Sequence, residues 1–430
     1  MLPTEIIIQI FDELHATTSG RQALCECSLV HSSWRRYVQP LLFRDLKIEG
    51  VVYTNDLERA QAVTSSFEAL LESIETHPEL TSYIHNLRLV RLRRVRIRYS
   101  NAQALADESK YVATLLPKLT HLQSVELNDV HYSYLSPEVR RSVRALFNLP
   151  SLLSLKMTRS SYPSAFELLV AIISASNLQN LHLSHLDFEQ FMYGPPGGDD
   201  PVIPSSEMTV SRAAPHSIRL TGLHLQLSTG MNTIVHFLSA PHCPFSFECL
   251  NSLSLIRPDG NPQNFDPLFD PPSDLDHGSL SRLLQAVGSN VKHFALGYSL
   301  QGEEGTFPLL KSTPSLRSLT LSRLIHSPLS NPVSRIQDLF PPTLSTIEDI
   351  VLRIDIKEPS ADEIFWSPWQ SLDTFFATTS RFPSLRQVEF QPAFTYQTEW
   401  SADTKAVILA QFPILAHDKK LVVNHDVHVQ

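Results

Sequence analysis

One pattern constrains the fold of this 430-residue chain more than any other: an apolar residue, two of any kind, an apolar residue, one of any kind, and a third apolar residue. It stands at Ile84/Leu87/Leu89, Leu122/Val125/Leu127, Leu152/Leu155/Met157, Leu178/Leu181/Leu183 and Leu220/Leu223/Leu225. It continues at Leu250/Leu253/Leu255, Val291/Phe294/Leu296, Leu316/Leu319/Leu321, Ile347/Ile350/Leu352 and Leu385/Val388/Phe390. The last two apolar positions of each core lie two residues apart, on one face of an extended strand. Helix-like stretches separate the cores at 57–76, 104–116, 137–147, 165–174, 280–287 and 372–378. Several close on a turn signal before the next core, as in Asn148-Leu149-Pro150-Ser151-Leu152, Ser312-Thr313-Pro314-Ser315-Leu316 and Arg381-Phe382-Pro383-Ser384-Leu385. A unit of helix, turn and short strand cannot bury its own apolar face and must stack on its neighbours. Arrays of paired helices do not explain the period-two alternation at each core.

This unit resembles the leucine-rich repeat, although its mean spacing of about 33 residues exceeds the usual one. The resemblance implies an α/β fold over residues 84–430: a horseshoe with parallel strands on the concave face and helices on the convex face. Insertions near 190–217 and 257–278, rich in Pro, Gly, Asp and Ser, each follow a strand core and should leave the same rim. They read either as a flap for substrate capture or as disordered excursions.

Alternation places the residues between the inward leucines on the open face. Asn180, His182 and Ser184 should project there, with Arg88, Glu126, Asn128, Lys156, Thr158, His224, Gln226, Ser252, Ser254, Thr320, Ser322, Arg353, Glu389 and Gln391. From these, Arg88, Glu126, Lys156, His182, His224, Arg353 and Glu389 are the candidate substrate face. A mixed polar ladder suits a protein surface better than a polyanion, while each residue taken singly reads as an ordinary solvated strand position. A basic run from Arg91 to Arg98 could dock an acidic or phosphorylated segment, or be a solvated face. Trp366, Trp369 and Trp400 gather near the C-terminus with Phe375, Phe376, Phe390, Phe394 and Tyr396. That group fits a cap over the last repeat or a binding pocket.

Ahead of the repeats, residues 1–48 read as three short helices. The first follows Pro3, with Thr4 and Glu5 at its positive end and Ile6, Ile7, Ile10, Phe11 and Leu14 on one stripe; Ile8 does not fit. A second covers 24–30, and a third starts near Ser32 or Ser33, either able to cap it, and brings Trp34, Tyr37 and Val38 together before Pro40 stops it. A module this small lies near the lower limit for folding alone, so part of its apolar surface should belong to another protein or to the rest of the chain.

These residues resemble the F-box proteins, in the fungal version that ends in Pro-Leu-Leu-Phe. The matching elements are Leu2-Pro3, Glu5-Ile6, Ile10-Phe11, Leu14, Cys27-Ser28-Leu29-Val30, Trp34 and Pro40-Leu41-Leu42-Phe43. The resemblance implies docking on a Skp-type adaptor and, through it, a cullin, with Leu2, Pro3, Ile6, Ile10, Leu14, Leu29 and Trp34 facing or supporting the adaptor. The box begins at the initiator Met, so its first turn is expected to fray. In the alternative, the same apolar residues pack onto the following domain. Residues 49–83 are expected to be a connecting helix between box and repeats.

Composition narrows the function. A net charge of −9 and an isoelectric point near 6.0 oppose a general nucleic-acid binder. Four cysteines make no disulfide framework, and no signal-peptide pattern or membrane-length apolar run is present, which places the chain in a reducing cytoplasm or nucleus. No phosphate loop, metalloprotease motif or nucleophile elbow appears, the cysteines read as buried free thiols, and His182 with His185 is weak as a metal pair. No cofactor is expected. The reading is a non-catalytic substrate-recognition subunit of an SCF-type cullin-RING ubiquitin ligase, the box binding the adaptor and the repeats a target protein. The alternative is a scaffold outside any ligase. An enzyme working on the concave face is disfavoured.

Overall fold

The computed structural model describes residues 4–17, 20–50, 57–92, 102–188, 218–227, 230–256, 277–297, 309–326, 332–342, 344–356, 367–394 and 402–424. The chain divides into two compact units, Met1–Ala213 and Ala214–Gln430.

The first unit opens with three helices, α1 (Thr4–Ala16), α2 (Gly20–Val30) and α3 (Ser32–Phe43). A strand β1 (Asp45–Glu49) follows, then α4 (Leu57–Thr76) and α5 (Leu80–Tyr83), so the segment expected as one connecting helix holds two. Four repeats complete the unit: β2 (Asn86–Val90), α6 (Ala102–Leu115), β3 (Ser124–Asn128), α7 (Pro137–Phe147), β4 (Ser154–Thr158), β5 (Ser161–Tyr162), α8 (Ala165–Ile173), β6 (Asn180–Ser184) and β7 (Asp187–Phe188). Strands β1, β2, β3, β4 and β6 pair in that order, all parallel, and β5 pairs separately with β7. Parallel neighbours need a crossover rather than a hairpin, which is what the intervening helices supply. Each packs on the next, α4 on α6, α6 on α7 and α7 on α8. Their starts are capped: Val139 donates its N–H to Ser136 Oγ at 3.3 Å ahead of α7, and Glu167 to Ser164 Oγ at 3.1 Å ahead of α8.

The second unit holds β8 (Ile218–Arg219), β9 (Gly222–Gln226), β10 (Phe245–Ser246), β11 (Ser252–Ile256), β12 (His293–Gly297), β13 (Ser318–His326), β14 (Asp349–Ile356), β15 (Gln387–Phe394) and β16 (Leu421–Val423). Its ladder runs β9, β11, β12, β13, β14, β15, β16, again wholly parallel, with a register shift between Leu321 and Leu324. Helices Met231–Leu238, His277–Val287, Pro332–Leu339, Ser367–Ala377, Ala402–Gln411 and Pro413–His417 join the strands.

Both units therefore adopt the α/β repeat architecture anticipated from the ten cores. Every apolar residue of those cores is buried, from Ile84, Leu87 and Leu89 to Leu385, Val388 and Phe390. Several expectations need correction. Pro40 does not stop α3, which continues to Phe43, and its cap is His31, whose Nδ1 accepts from Ser33 N–H at 3.2 Å. Ser184 and Ser322 do not project but are buried. Ser184 Oγ donates to Thr158 Oγ1 at 3.4 Å, and Ser322 stands against Gly297, where a Cβ would come within 2.4 Å of its Oγ. Of the two insertions, residues 189–217 and 257–276 lie outside the described residues, and residues 277–278 already belong to helix His277–Val287.

The C-terminal helices are held by one buried carboxylate. Asp373 accepts from Ile414 N–H at 2.9 Å and from Leu415 N–H at 2.8 Å, filling two of the open donors at the start of helix Pro413–His417. Asp373→Ala should destabilise the second unit by about 2–4 kcal/mol in urea unfolding, with faster amide exchange at Ile414 and Leu415, and Asp373→Asn by about half as much.

Candidate functional site

The N-terminal helices have little interior. Phe11, Leu24 and Val38 are its buried core, and Ile7, Leu14, Cys27, Trp34, Tyr37, Leu41 and Leu42 pack around them half-buried. Phe11 meets Trp34 edge to face with ring centres 5.6 Å apart. Helix α1 thus spends Ile7, Phe11 and Leu14 on the bundle. Its other apolar stripe is left in solvent, with Ile6 43% and Ile10 45% exposed. These two, with Gln9, Glu13, Leu14 and Thr17, line an open depression along the helix. At the end of α2, Leu29 and Val30 are 79% and 70% exposed.

The expected adaptor residues fall into three groups. Ile6, Ile10 and Leu29 are exposed; Leu14 and Trp34 are half-buried supports of the core; Leu2 and Pro3 lie outside the described residues. Sequence reasoning missed Gln9, Glu13 and Thr17 as lining of the depression on α1, and Val30 as an exposed side chain of α2. The i, i+3, i+4 spacing from Ile6 carried that signal, but it was read as a single stripe.

The bundle is joined firmly to the first repeat. Helix α3 packs on α5, and the Arg44 carbonyl accepts from both His85 N–H and Asn86 N–H at 3.0 Å. His15 approaches Asp45 at 3.5 Å, and Asp45 accepts from Asn86 Nδ2 at 2.6 Å. These contacts cover part of α3 and leave Ile6, Ile10, Leu29 and Val30 open.

On the strand face of the first unit, register brings Arg88, Glu126, Lys156 and His182 into one row, with Lys47 of β1 beside Arg88. Glu126 lies between Arg88 at 3.3 Å and Lys156 at 3.2 Å. In the second unit, Arg353 Nε donates to Gln391 Oε1 at 2.8 Å, and Gln391 Nε2 donates to Glu389 Oε1 at 2.7 Å. His224 is not brought to them; it stands on the unit's first ladder strand beside Ser254. In the basic run, Arg91 pairs with Glu49 at 3.2 Å, while residues 93–98 lie outside the described residues.

Most of the C-terminal aromatics that are described form core, while Phe375 is half-buried. Trp369, Phe376 and Phe390 are buried, Trp369 edge-on to Phe390 at 5.6 Å, and Phe390 reaches Phe412 at 5.4 Å. Trp366, Tyr396 and Trp400 lie outside the described residues. The thiols correct another expectation: Cys25 and Cys249 are exposed and Cys27 is half-buried, leaving Cys243 as the buried one. Among the described residues no group of three His, Cys, Asp or Glu could hold a metal ion, and no helix is long and apolar enough to cross a membrane.

Comparison with known proteins bears on the first of these surfaces. The family model described as F-box-like matches residues 1–49, and that segment is an F-box-like domain. No curated protein matches the chain. Among solved structures, the yeast Rad7 and Elc1 complex matches with 13% identity and a TM-score of 0.34, covering 89% of this chain and 96% of that one.

Two outcomes follow from this geometry. A Cβ on Gly20 would lie 1.5 Å from the Leu14 carbonyl oxygen, so Gly20→Ala must displace the α1–α2 backbone. Exchange protection should fall by roughly tenfold or more across α1–α3 and stay unchanged in the second unit's strands. Burial pushes the Cys243 thiol up to about 11, which keeps it protonated at pH 8. Iodoacetamide should therefore modify Cys25 and Cys249 in the native chain, and Cys243 only after unfolding, as read by peptide mass mapping.

Proposed function

We propose that this chain is the substrate-recognition subunit of an SCF-type cullin-RING ubiquitin ligase. Its F-box-like domain docks on a Skp-type adaptor, and the repeats hold a target protein for ubiquitin transfer by other subunits. One observation carries the reading: a segment that matches the F-box-like family leaves Ile6 and Ile10 exposed on the flank of α1 beside its core-facing stripe, with Leu29 and Val30 exposed on α2. Four such aliphatic side chains in one small domain are a cost in water that a partner's cover removes. Each is worth about 1–2 kcal/mol, since full burial of an exposed one contributes about 1.5–3 kcal/mol.

In this role the chain makes and breaks no bond. It raises the effective concentration of target lysines near a charged ubiquitin-conjugating enzyme. Cullin is reached through the adaptor, and the site of action is the cytoplasm or nucleus.

The test is capture of a purified Skp-type adaptor by the full chain, followed by addition of cullin. Ile10→Asp and Leu29→Asp should each weaken adaptor binding by about tenfold or more; Leu29→Asp should leave the melting temperature unchanged, because Leu29 is 79% exposed, and Ile10→Asp should lower it only slightly. A wild-type chain that captures no adaptor at micromolar concentration overturns the proposal. Capture of adaptor without cullin would favour a scaffold outside the ligase.

A further inference from the structure

On the strand face of the first unit, charges are arranged in depth as well as in rows. Glu126 bridges Arg88 and Lys156, and its side chain is 22% exposed against 48% and 44% for the two cations. Glu49 repeats the arrangement between Lys47 at 2.7 Å and Arg91 at 3.2 Å; it is 34% exposed against their 54% and 47%. Each carboxylate is recessed and shared by two cations that reach further into solvent. Four cations thus sit over two anions, and Lys47 and Arg88 are register partners that join the two groups. Asp45, at the other end of β1, is exposed but already engaged by Asn86 Nδ2.

We infer that this face is a docking site for an extended, carboxylate-rich peptide segment of a partner protein. The assignment rests on the substrate-receptor reading and adds the chemistry of the target. Arg88 and Lys156 stand two strand spacings apart, roughly 10 Å between their backbones, and their charged ends converge on the one Glu126 carboxylate between them. Because Glu126 already fills the point on which both converge, a single phosphate, which needs several donors on one group, is opposed there. The outer sides of the two cations suit separate carboxylates three residues apart in an extended polyproline-II segment, whose three-residue turn puts them on one side roughly 9 Å apart. Heads that are paired on one side and half exposed on the other give attraction that is long-ranged and screened by salt, so the face steers and orients an acidic segment more than it grips it.

The experiment uses the full chain and a fluorescein-labelled peptide with glutamate at every third position among serine and glycine, read by anisotropy at low salt. A glutamine version of the peptide and a single-stranded oligothymidine serve as controls. The glutamate peptide should bind about tenfold or more tightly than the glutamine peptide, and the preference should fade at high salt. Arg88→Glu with Lys156→Glu should abolish that preference, and the neutral pair Arg88→Gln with Lys156→Gln should reduce it with the fold intact. Glu126→Gln should strengthen binding about threefold, since it removes the internal competitor. Equal binding of both peptides, no effect of the paired substitutions, or tighter binding of the oligonucleotide overturns the inference. Adaptor capture is measured on the same variants. A chain that captures adaptor but does not prefer glutamate loses only this inference, whereas one that prefers glutamate without capturing adaptor keeps it and loses the ligase reading.

Discussion

The in-register parallel ladder is the constraint on which the rest depends. In the first unit Leu87 stands beside Val125, Leu155 and Leu181, and Leu89 beside Leu127, Met157 and Leu183, so each inward pair is covered by the next repeat's pair. A slip of one residue would turn every one of these side chains into water and every outward charge into the core. Burial of the leucines therefore fixes the outward rows as well, and Arg88 faces Glu126, and Glu126 faces Lys156, as a consequence. The ladder continues past the strands. Arg91, Asp129 and Arg159 adopt φ between 51° and 59° and donate their N–H groups to the carbonyls of Asn128, Thr158 and Ser184. A non-glycine residue is rarely found in that region, and the repeated hydrogen bond holds it there.

The same need for cover explains the N-terminal helices. Three buried residues cannot hold a bundle of this size against its chain entropy, and the half-buried ring around them completes only one side of α1. Part of the missing cover comes from within the unit, where α3 lies on α5 and the Arg44 carbonyl takes two N–H groups. The alternative in which the box's apolar residues pack on the following domain is thus met for α3 and unmet for Ile6, Ile10, Leu29 and Val30.

The repeats were legible because their signal is additive: ten cores with one spacing each placed a strand, and helices Leu57–Thr76 and Pro137–Phe147 were bounded by the sequence itself. What escaped had no local signature. Strand β1 carries Leu46 and Ile48 at alternate positions, but in five residues flanked by charge the alternation means nothing until β2 is beside it. Pro40 forfeits one hydrogen bond yet stays inside α3, because the tertiary contacts of Leu41 and Leu42 with the bundle core outweigh its local preference. Helix Met231–Leu238 starts at Gly230, with φ of 70° and no side-chain cap, so the usual start residues were missing. In the candidate site, sequence marked Ile6, Ile10 and Leu29, but depth of burial is three-dimensional, and neither the recessed carboxylates nor Lys47 could be read from order alone.

Lys47 belongs to both segments. It lies within the segment matched as F-box-like and, by register, in the charged row of the repeats. Between the end of α3 at Phe43 and the start of β1 at Asp45 there is a single residue, Arg44, and its carbonyl is pinned by His85 and Asn86. A linker that short has no slack, so the box and the first strands move as one piece. If the box docks on an adaptor, a segment held over Arg88 and Lys156 is presented at a fixed distance and angle. For a receptor whose whole contribution is proximity, rigidity of that joint matters as much as affinity at either end, because effective concentration falls steeply once a tether lets the target wander.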